Sequence, residues 1–243
     1  MRRLLTDTER LHVVLMLTLC FATGVVDAVG YLGLDRVFTA NMTGNVVVLA
    51  MGLTGNGNLP IVGPIVALAG FVVGATVAGR VLRGAAAGWT GRDTALLGVA
   101  AVLLVIAVIP TVSADAPYPT AVGLPVTGLL GLAMGMQGGA ARHIAVADVP
   151  TVVVTSTLIG LSFDSWLGRR VQQRWPRRLL AVGLLGVGAV VGAALLLLHF
   201  WVGLSVAALV LVAVAAVGYA GQRVAGSAAA ADAARSDPSP RTS

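Results

Sequence analysis

The sequence predicts an all-α integral membrane protein with about six transmembrane crossings and two short broken or re-entrant helical elements. Hydrophobic residues make up 57% of the 243 residues and charged residues only 11%, whereas soluble domains carry about 25% charged residues. The mean hydropathy is +0.92. Several apolar runs also approach the roughly 20 residues that cross a bilayer core as a helix. Clear examples are residues 60–78, 95–112, 179–200 and 202–221.

Eight apolar segments follow one another along the chain, and the second and sixth are short and rich in threonine. They cover residues 11–34, 38–54, 60–79, 94–113, 121–141, 149–163, 179–200 and 202–221. The first lacks the small-residue cleavage site and polar continuation of a signal peptide, so we expect it to be retained as a helix. The single cysteine, Cys20, lies in this segment, and a single cysteine excludes an intrachain disulfide.

The positions of the arginines decide between eight crossings and six. If all eight segments crossed, Arg80, Arg83 and Arg92 would lie outside, although inner loops normally carry the excess of positive charge. If the first two segments together cross once, and the fifth and sixth likewise, the inner face receives every arginine except Arg36 and Arg142, which lie at the breaks. Arginine without lysine, with abundant Ala, Gly and Val, is typical of a GC-rich bacterium. We therefore predict six crossings of a bacterial inner membrane, with both termini cytoplasmic.

This topology divides the chain into two membrane repeats. Residues 1–10 form a cytoplasmic N-terminus, 11–113 the first repeat, 114–222 the second, and the small, polar segment 223–243 a disordered tail. When the second repeat is laid over the first, "TANMTGN" meets "TVVVTST", and Thr39 meets Thr151. Because three is an odd number of crossings, the second repeat enters from the opposite face. The pattern favours a 3+3 inverted repeat, an arrangement common in secondary transporters.

Polar residues interrupt the first segment and the break that follows it. Asp27 lies about sixteen residues into the first helix, roughly 24 Å along it, where an ionised carboxylate is costly unless it is paired, hydrated or protonated. It is either a coupling-ion or proton group, or a structural hydrogen-bond partner. Thr39, Asn41, Thr43 and Asn45 can form a helix start inside the membrane that faces a polar or anionic solute. The alternative is an ordinary capped helix start at the outer surface.

Polar residues also flank the second break. Gln137 and Arg142 precede it and Thr155 follows it, so we predict that they join the first-break residues in one site. Arg142 either binds an anionic substrate or, with His143, snorkels from a helix end. No second His or Cys stands at ligand spacing from His143, and nucleophile, HExxH and GxxxxGK motifs do not occur. The sequence therefore predicts no metal site, no cofactor, no catalytic residues and no enzyme.

Glycines recurring every four residues, such as Gly131, Gly135 and Gly139, predict close helix packing. Such stripes serve equally within one bundle or between two protomers, which leaves a homo-oligomer open. The net charge of +6 comes from arginines at the ends of apolar segments, which indicates topology rather than nucleic-acid binding. The predicted partners are therefore the lipid bilayer and an unknown small-molecule solute.

The block "ATGVVDAVGYLGLDRVFTANMTGNVVVLAMGL", residues 22–53, resembles the signature of the YoaK-like family of bacterial inner-membrane proteins. The similarity continues in "GLAMGMQGGAARHIAVADVPTVVVTSTLIGL", residues 131–161, and covers the membrane part from about residue 10 to 222. It implies a multi-pass protein with the number of crossings predicted above. Because the family is of unknown function, it implies no substrate and no functional residues. This chain departs from the family pattern at Gly138, where the family has Asn, and at Thr155–Ser156, where it has Thr-Gly.

The polar breaks favour a small secondary transporter or exporter of a polar or anionic solute. The alternative is a non-transporting membrane scaffold or sensor, whose polar breaks only lock helices together. The two functions differ in one structural property. In a transporter, Asp27 and Asn41 line a water-reachable cavity, whereas in a scaffold both are buried with every hydrogen bond met.

Overall fold

Eight α-helices make up the fold of the residues described by a computed structural model, which are 8–114, 118–146, 154–170 and 175–236. They are α1 Thr8–Gly33, α2 Met42–Leu53, α3 Val62–Val81, α4 Gly91–Val112, α5 Thr120–Ile144, α6 Val154–Phe163, α7 Trp175–Leu196 and α8 Phe200–Ser236. Six of them are long and apolar enough to span a membrane, while α2 and α6 have 12 and 10 residues. Those ranges contain no β-strand. The predicted class of six spans and two short helical elements is confirmed.

Helices α1 and α7 pack in parallel with their backbones in close contact. A Cβ on Gly188 of α7 would lie 2.1 Å from the carbonyl oxygen of Phe21, and one on Gly192 would lie 2.7 Å from that of Val25. The contact four residues later on α7 is also four residues later on α1, so α1 and α7 run in the same direction. Only glycine fits at such contacts, which is why small residues recur at helix interfaces in membranes.

Helices α3 and α5 form a second pair of the same kind. A Cβ on Gly131 of α5 would lie 2.6 Å from the carbonyl oxygen of Ala67, and one on Gly135 would lie 2.2 Å from that of Phe71. These two helices are therefore also parallel. The predicted packing role of the stripe containing Gly131, Gly135 and Gly139 is met by α3 within the same chain.

Helices α4 and α8 connect the two pairs, and they are antiparallel because Gly91 at the start of α4 lies near Gln222 in the second half of α8. The end of α1 at Gly33 lies against Phe200 at the start of α8, and Asp93 at the start of α4 meets His143 at the end of α5. The six long helices consequently alternate in direction along the chain. Ten of the described arginines lie at one end of the bundle, which we call the arginine-rich end. They are Arg10, Arg80, Arg83, Arg92, Arg142, Arg169, Arg170, Arg177, Arg178 and Arg223.

Each helix of the first half has a counterpart in the second half. Each half consists of a long helix, a short helix and two further long helices, in that order. The helix contacts correspond as well, because α1 with α7 matches α5 with α3, and α2 with α3 matches α6 with α7. An inverted repeat of residues 11–113 and 114–222 would produce this correspondence, and the repeat itself stays a prediction.

The C-terminal segment differs from the expected disordered tail over most of its length. Helix α8 continues to Ser236, so residues 223–236 are helical. The run "AGSAAAADAARS" extends an existing helix with alanine, the residue of highest helix propensity, and extension avoids the cost of nucleation. Residues 237–243 lie outside the described part of the chain, as do residues 147–153 of the second break, including Thr151.

Candidate functional site

Asp27 holds the break between α1 and α2 against the side of α1. Its Oδ1 atom accepts hydrogen bonds from the backbone N–H groups of Thr39 at 2.9 Å, Ala40 at 2.7 Å and Asn41 at 3.3 Å. Asp27 lies about 9 Å before the end of α1, at 1.5 Å per residue. Irregular backbone at this depth needs protein partners, because hydrocarbon offers none. Asp27 supplies them, and α2 consequently starts beside α1 rather than beyond its end.

Gly30 allows the break to come this close to α1. A Cβ at Gly30 would lie 2.9 Å from Cγ2 of Thr39 and 3.2 Å from the carbonyl oxygen of Val37. Any larger residue would push the break away and lengthen the three hydrogen bonds to Asp27. The break is therefore positioned by a carboxylate and a glycine one turn apart on α1.

Asn45 ties the break to the first turn of α2. Its Nδ2 donates to the carbonyl oxygen of Phe38 at 2.6 Å, and its Oδ1 accepts from the N–H of Phe38 at 2.9 Å. Asn41 is the N-cap of α2, and its Oδ1 accepts from the N–H of Gly44 at 3.3 Å. Asn41 thus satisfies an N–H group that has no backbone partner at the start of the helix, and Asn45 satisfies both backbone groups of Phe38 in the break.

Replacing Asn45 with alanine is expected to destabilise the protein by about 1–3 kcal/mol, because both backbone groups of Phe38 lose their partner away from water. Unfolding of the purified protein in detergent micelles, followed by circular dichroism, measures the change. Thr76→Ala is the control, since it removes an exposed hydroxyl bonded only to the preceding turn of α3. Equal stability of the two variants would contradict a role for Asn45 in fixing the break.

A cavity of about 490 Å³ lies where the starts of α2 and α6 face α1 and α7. Its volume falls within the roughly 300–1,000 Å³ typical of small-molecule sites. Phe38, Val48, Val154 and Leu185 contribute apolar walls. The polar lining consists of Thr23, Asp27, Asn41, Thr43 and Thr155.

The two short helices give this cavity its electrostatic character. Asn41, Thr43 and Gly44 from the start of α2, and Val154 and Thr155 from the start of α6, all line it. A helix start carries partial positive charge and orients N–H groups along its axis. The carboxylate of Asp27 lies among these groups and opposes them. The cavity therefore presents hydroxyl and amide groups, positive helix ends and one carboxylate to a ligand.

Four of the eight predicted site residues meet at the cavity, namely Asp27, Asn41, Thr43 and Thr155. Thr39 and Asn45 are 0% exposed and belong to the hydrogen-bonded backbone behind the cavity wall.

The two predicted residues of α5 lie elsewhere. Gln137 is 1% exposed, and its Nε2 donates to Oγ1 of Thr23 at 2.9 Å, so it supports a lining residue. Its Oε1 has no partner within the described residues. Arg142 is exposed at the arginine-rich end and does not line the cavity. Its position agrees with the snorkelling alternative, because a helix end at the interface lets a long side chain reach water.

Sequence reasoning missed Thr23, which lines the cavity one turn before Asp27 on the same face of α1. It also missed Asp93, which is 0% exposed and accepts from Nδ1 of His143 at 3.0 Å. The pattern "TGRD" signals a capping box, in which Thr90 and Asp93 bond reciprocally at the start of α4. That signal could have found Asp93. It could not have found its partner His143, which is 50 residues away along the chain and is therefore outside any local pattern.

A second cavity, of about 450 Å³, opens at the end of the bundle opposite the arginines, between the end of α1 and the starts of α3 and α5. Val37 lines this cavity and its neighbour Phe38 lines the first one. The break thus forms a partition between the two. No cluster of three or more His, Cys, Asp or Glu side chains that could hold a metal occurs among the described residues.

Comparison with known proteins gives two matches. A family model described as a protein of unknown function (DUF1275) matches residues 15–217. The UPF0700 transmembrane protein YoaK of Bacillus subtilis (strain 168) is 33% identical over 153 residues, which cover 62% of this chain and 65% of that protein. The chain thus matches slightly less than two thirds of this relative's length. No solved structure matches this chain.

Proposed function

The chain belongs to the DUF1275 family of multi-pass membrane proteins of unknown function, and from this premise we propose that it is a secondary transporter or exporter of a small polar or anionic solute across the bacterial inner membrane. The cavity between the starts of α2 and α6 carries this proposal. It contains both Asp27 and Asn41, which a purely structural scaffold would bury completely.

The lining residues have separate roles in this proposal. Thr43 and Thr155 offer hydroxyl groups to the solute from the two helix starts, and Asn41 offers its amide. The positive helix ends attract an anionic or hydrogen-bond-accepting group of the solute. Asp27 holds the break in place and also presents its carboxylate to the cavity. Gln137 positions Thr23.

The arrangement of the helices supports alternating access. Broken helices that start near the middle of the membrane, from two halves of opposite orientation, are a recurring plan for transporter binding sites. The break at Val37 and Phe38 separates the binding cavity from the cavity at the opposite end, so displacement of this thin partition would connect them. The arginine-rich end is assigned to the cytoplasm, because positive loops remain inside. The start of α1 and the end of α8 lie at that end.

Untargeted metabolite profiling of cells with and without the protein is expected to identify a small polar or anionic metabolite whose level changes, and proteoliposomes should then transport it. A Thr43→Phe variant is expected to lower this flux about tenfold or more, because the ring fills part of the cavity and a loss of about 1.4 kcal/mol in solute binding is already tenfold. Thr76→Phe, on the exposed surface of α3, is the matched control. Unchanged metabolites, with no flux of any profiled candidate, would favour the scaffold function.

A further inference from the structure

A second polar cluster lies at the arginine-rich end, away from the cavity. Nδ1 of His143 lies 3.0 Å from Oδ1 and 3.2 Å from Oδ2 of Asp93. Asp93 is fully buried, while the side chain of His143 is 17% exposed. The carboxylate is therefore isolated from water, and the imidazole connects it to the solvent. We propose that this pair binds the proton that drives transport, an inference that rests on the transport function proposed above.

Two histidines face Asp93, and His143 is the one that is hydrogen-bonded to its carboxylate. From α1, the half-buried His12 stacks on Trp89 with ring centroids 6.0 Å apart and also interacts electrostatically with Asp93. From α4, Arg92 directs its Nη1 to the carbonyl oxygens of Val81 and Arg83, and is thus held by the loop before α4. From α5, Arg142 is exposed next to His143.

The proton step is a simple protonation of the imidazole. Neutral His143 donates Nδ1–H to Asp93, and water at the arginine-rich end adds a proton to Nε2 to give an imidazolium. Release returns that proton to the same water. Histidine is the side chain whose charge ordinarily changes between about pH 5 and 8. Protonation converts a neutral hydrogen bond into a charge-assisted one, which is shorter and stronger.

The pair lies where this change in strength affects the bundle. Asp93 stands in the first turn of α4 and His143 in the last turn of α5, where a negative and a positive charge respectively suit the helix dipoles. A protonated pair therefore holds these two helix ends together and closes the arginine-rich end. The same helix α5 carries Gln137, which contacts Thr23 in the cavity wall. The proposed proton-binding histidine and the glutamine that supports the cavity wall thus lie on the same helix.

Cysteine labelling tests this coupling without knowledge of the solute. Cys20 is the only cysteine, so a Cys20→Ala background allows a single reporter, Thr43→Cys, in the cavity. A membrane-impermeant maleimide is added to proteoliposomes from the side of the opposite end, with the pH at the arginine-rich end set to about 6 or about 8. We expect faster labelling at the lower pH, because the protonated pair closes the arginine-rich end and, by alternating access, the cavity then opens to the opposite end.

Two substitutions of His143 are expected to change the labelling rate in opposite directions. His143→Gln is expected to abolish the pH dependence and give the slow rate at both pH values. His143→Arg, which is always charged, is expected to give the fast rate at both. His199→Gln, at the opposite end, should keep the pH dependence.

Two results would overturn the inference. Labelling that depends on pH equally in His143→Gln and in the parent would remove His143 from the coupling. Labelling that is fast but independent of pH in the parent would leave the transport pathway intact and exclude this proton site. By contrast, a reporter that is never labelled from either side would overturn the transport function itself, and the inference with it.

Discussion

Replacement of Asp27 by alanine is expected to release the break between α1 and α2 and to abolish transport. Three backbone N–H groups, those of Thr39, Ala40 and Asn41, share Oδ1 of Asp27 as acceptor. Thr39 and Ala40 are buried, and each of their N–H groups costs about 1–3 kcal/mol without a partner, whereas water in the cavity can bond to the N–H of the exposed Asn41. We therefore expect a loss of several kcal/mol in unfolding free energy, or rearrangement of residues 38–41 with closure of the cavity.

Asp27→Asn separates the structural role of Asp27 from its charge. Asparagine keeps one acceptor oxygen for the three N–H groups, so this variant should be more stable than Asp27→Ala. If it folds but loses flux, the carboxylate acts on the solute or on the transport cycle. If it folds and keeps its flux, Asp27 only positions the break. The unfolding free energy in micelles and the solute flux in proteoliposomes measure the two effects.

Asp35→Asn is the matched control for this change. Asp35 is exposed in the same break and has a left-handed backbone with φ of 51°, a conformation that asparagine adopts readily. We expect wild-type stability, which is the property compared here because Asp35 also lines the second cavity. An Asp27→Ala protein as stable as this control would contradict the assignment of Asp27 as the group that holds the break.

Gly188→Ala is expected to have the second large effect, because it separates α1 from α7. The added Cβ would lie 2.1 Å from the carbonyl oxygen of Phe21, which is backbone and cannot rotate away. Both helices must shift, and overpacking of this kind typically costs about 1–3 kcal/mol. Since α1 and α7 both line the cavity, the shift should also reduce transport. Unfolding in micelles and flux in proteoliposomes measure the two losses.

Gly186→Ala provides an internal control of opposite sign. Gly186 lies on the same helix, and a Cβ there meets no atom within 4 Å. Alanine is better than glycine in a helix by up to about 1 kcal/mol, so this variant should be equally or more stable. If Gly186→Ala and Gly188→Ala destabilise the protein equally, the contact between α1 and α7 is not what requires glycine.

The architecture was predictable because its determinants are local. Apolar length predicts each span, and the arginines of the loops predict which helix ends lie together. The polar run from Thr39 to Asn45 predicts an interruption, since caps and turn residues act within a few positions. These signals sufficed for the six spans, the two short helices and four of the lining residues.

The contacts that shape the site depend instead on tertiary packing. Asp27 was recognisable as costly in a membrane, but nothing local indicates that its Oδ1 accepts from three backbone groups of the break. Arg142 and Gln137 stand near each other in sequence, yet one reaches the surface and the other the centre of the bundle. Asp93 and His143 meet only because α4 and α5 are antiparallel, a relation that hydropathy does not specify.

The pairing of α1 with α7 has a consequence for biosynthesis. During translation α1 enters the bilayer early, and its partner α7, which begins at Trp175, is made only after five further helices. Until then lipid tails must cover the face of α1 that later contacts Gly188 and Gly192. A chain truncated before α7 therefore leaves α1 without the helix that packs against it. A premature stop codon shortly before α7 should consequently be as harmful as one near the start of the gene. Quality-control proteases should clear both products.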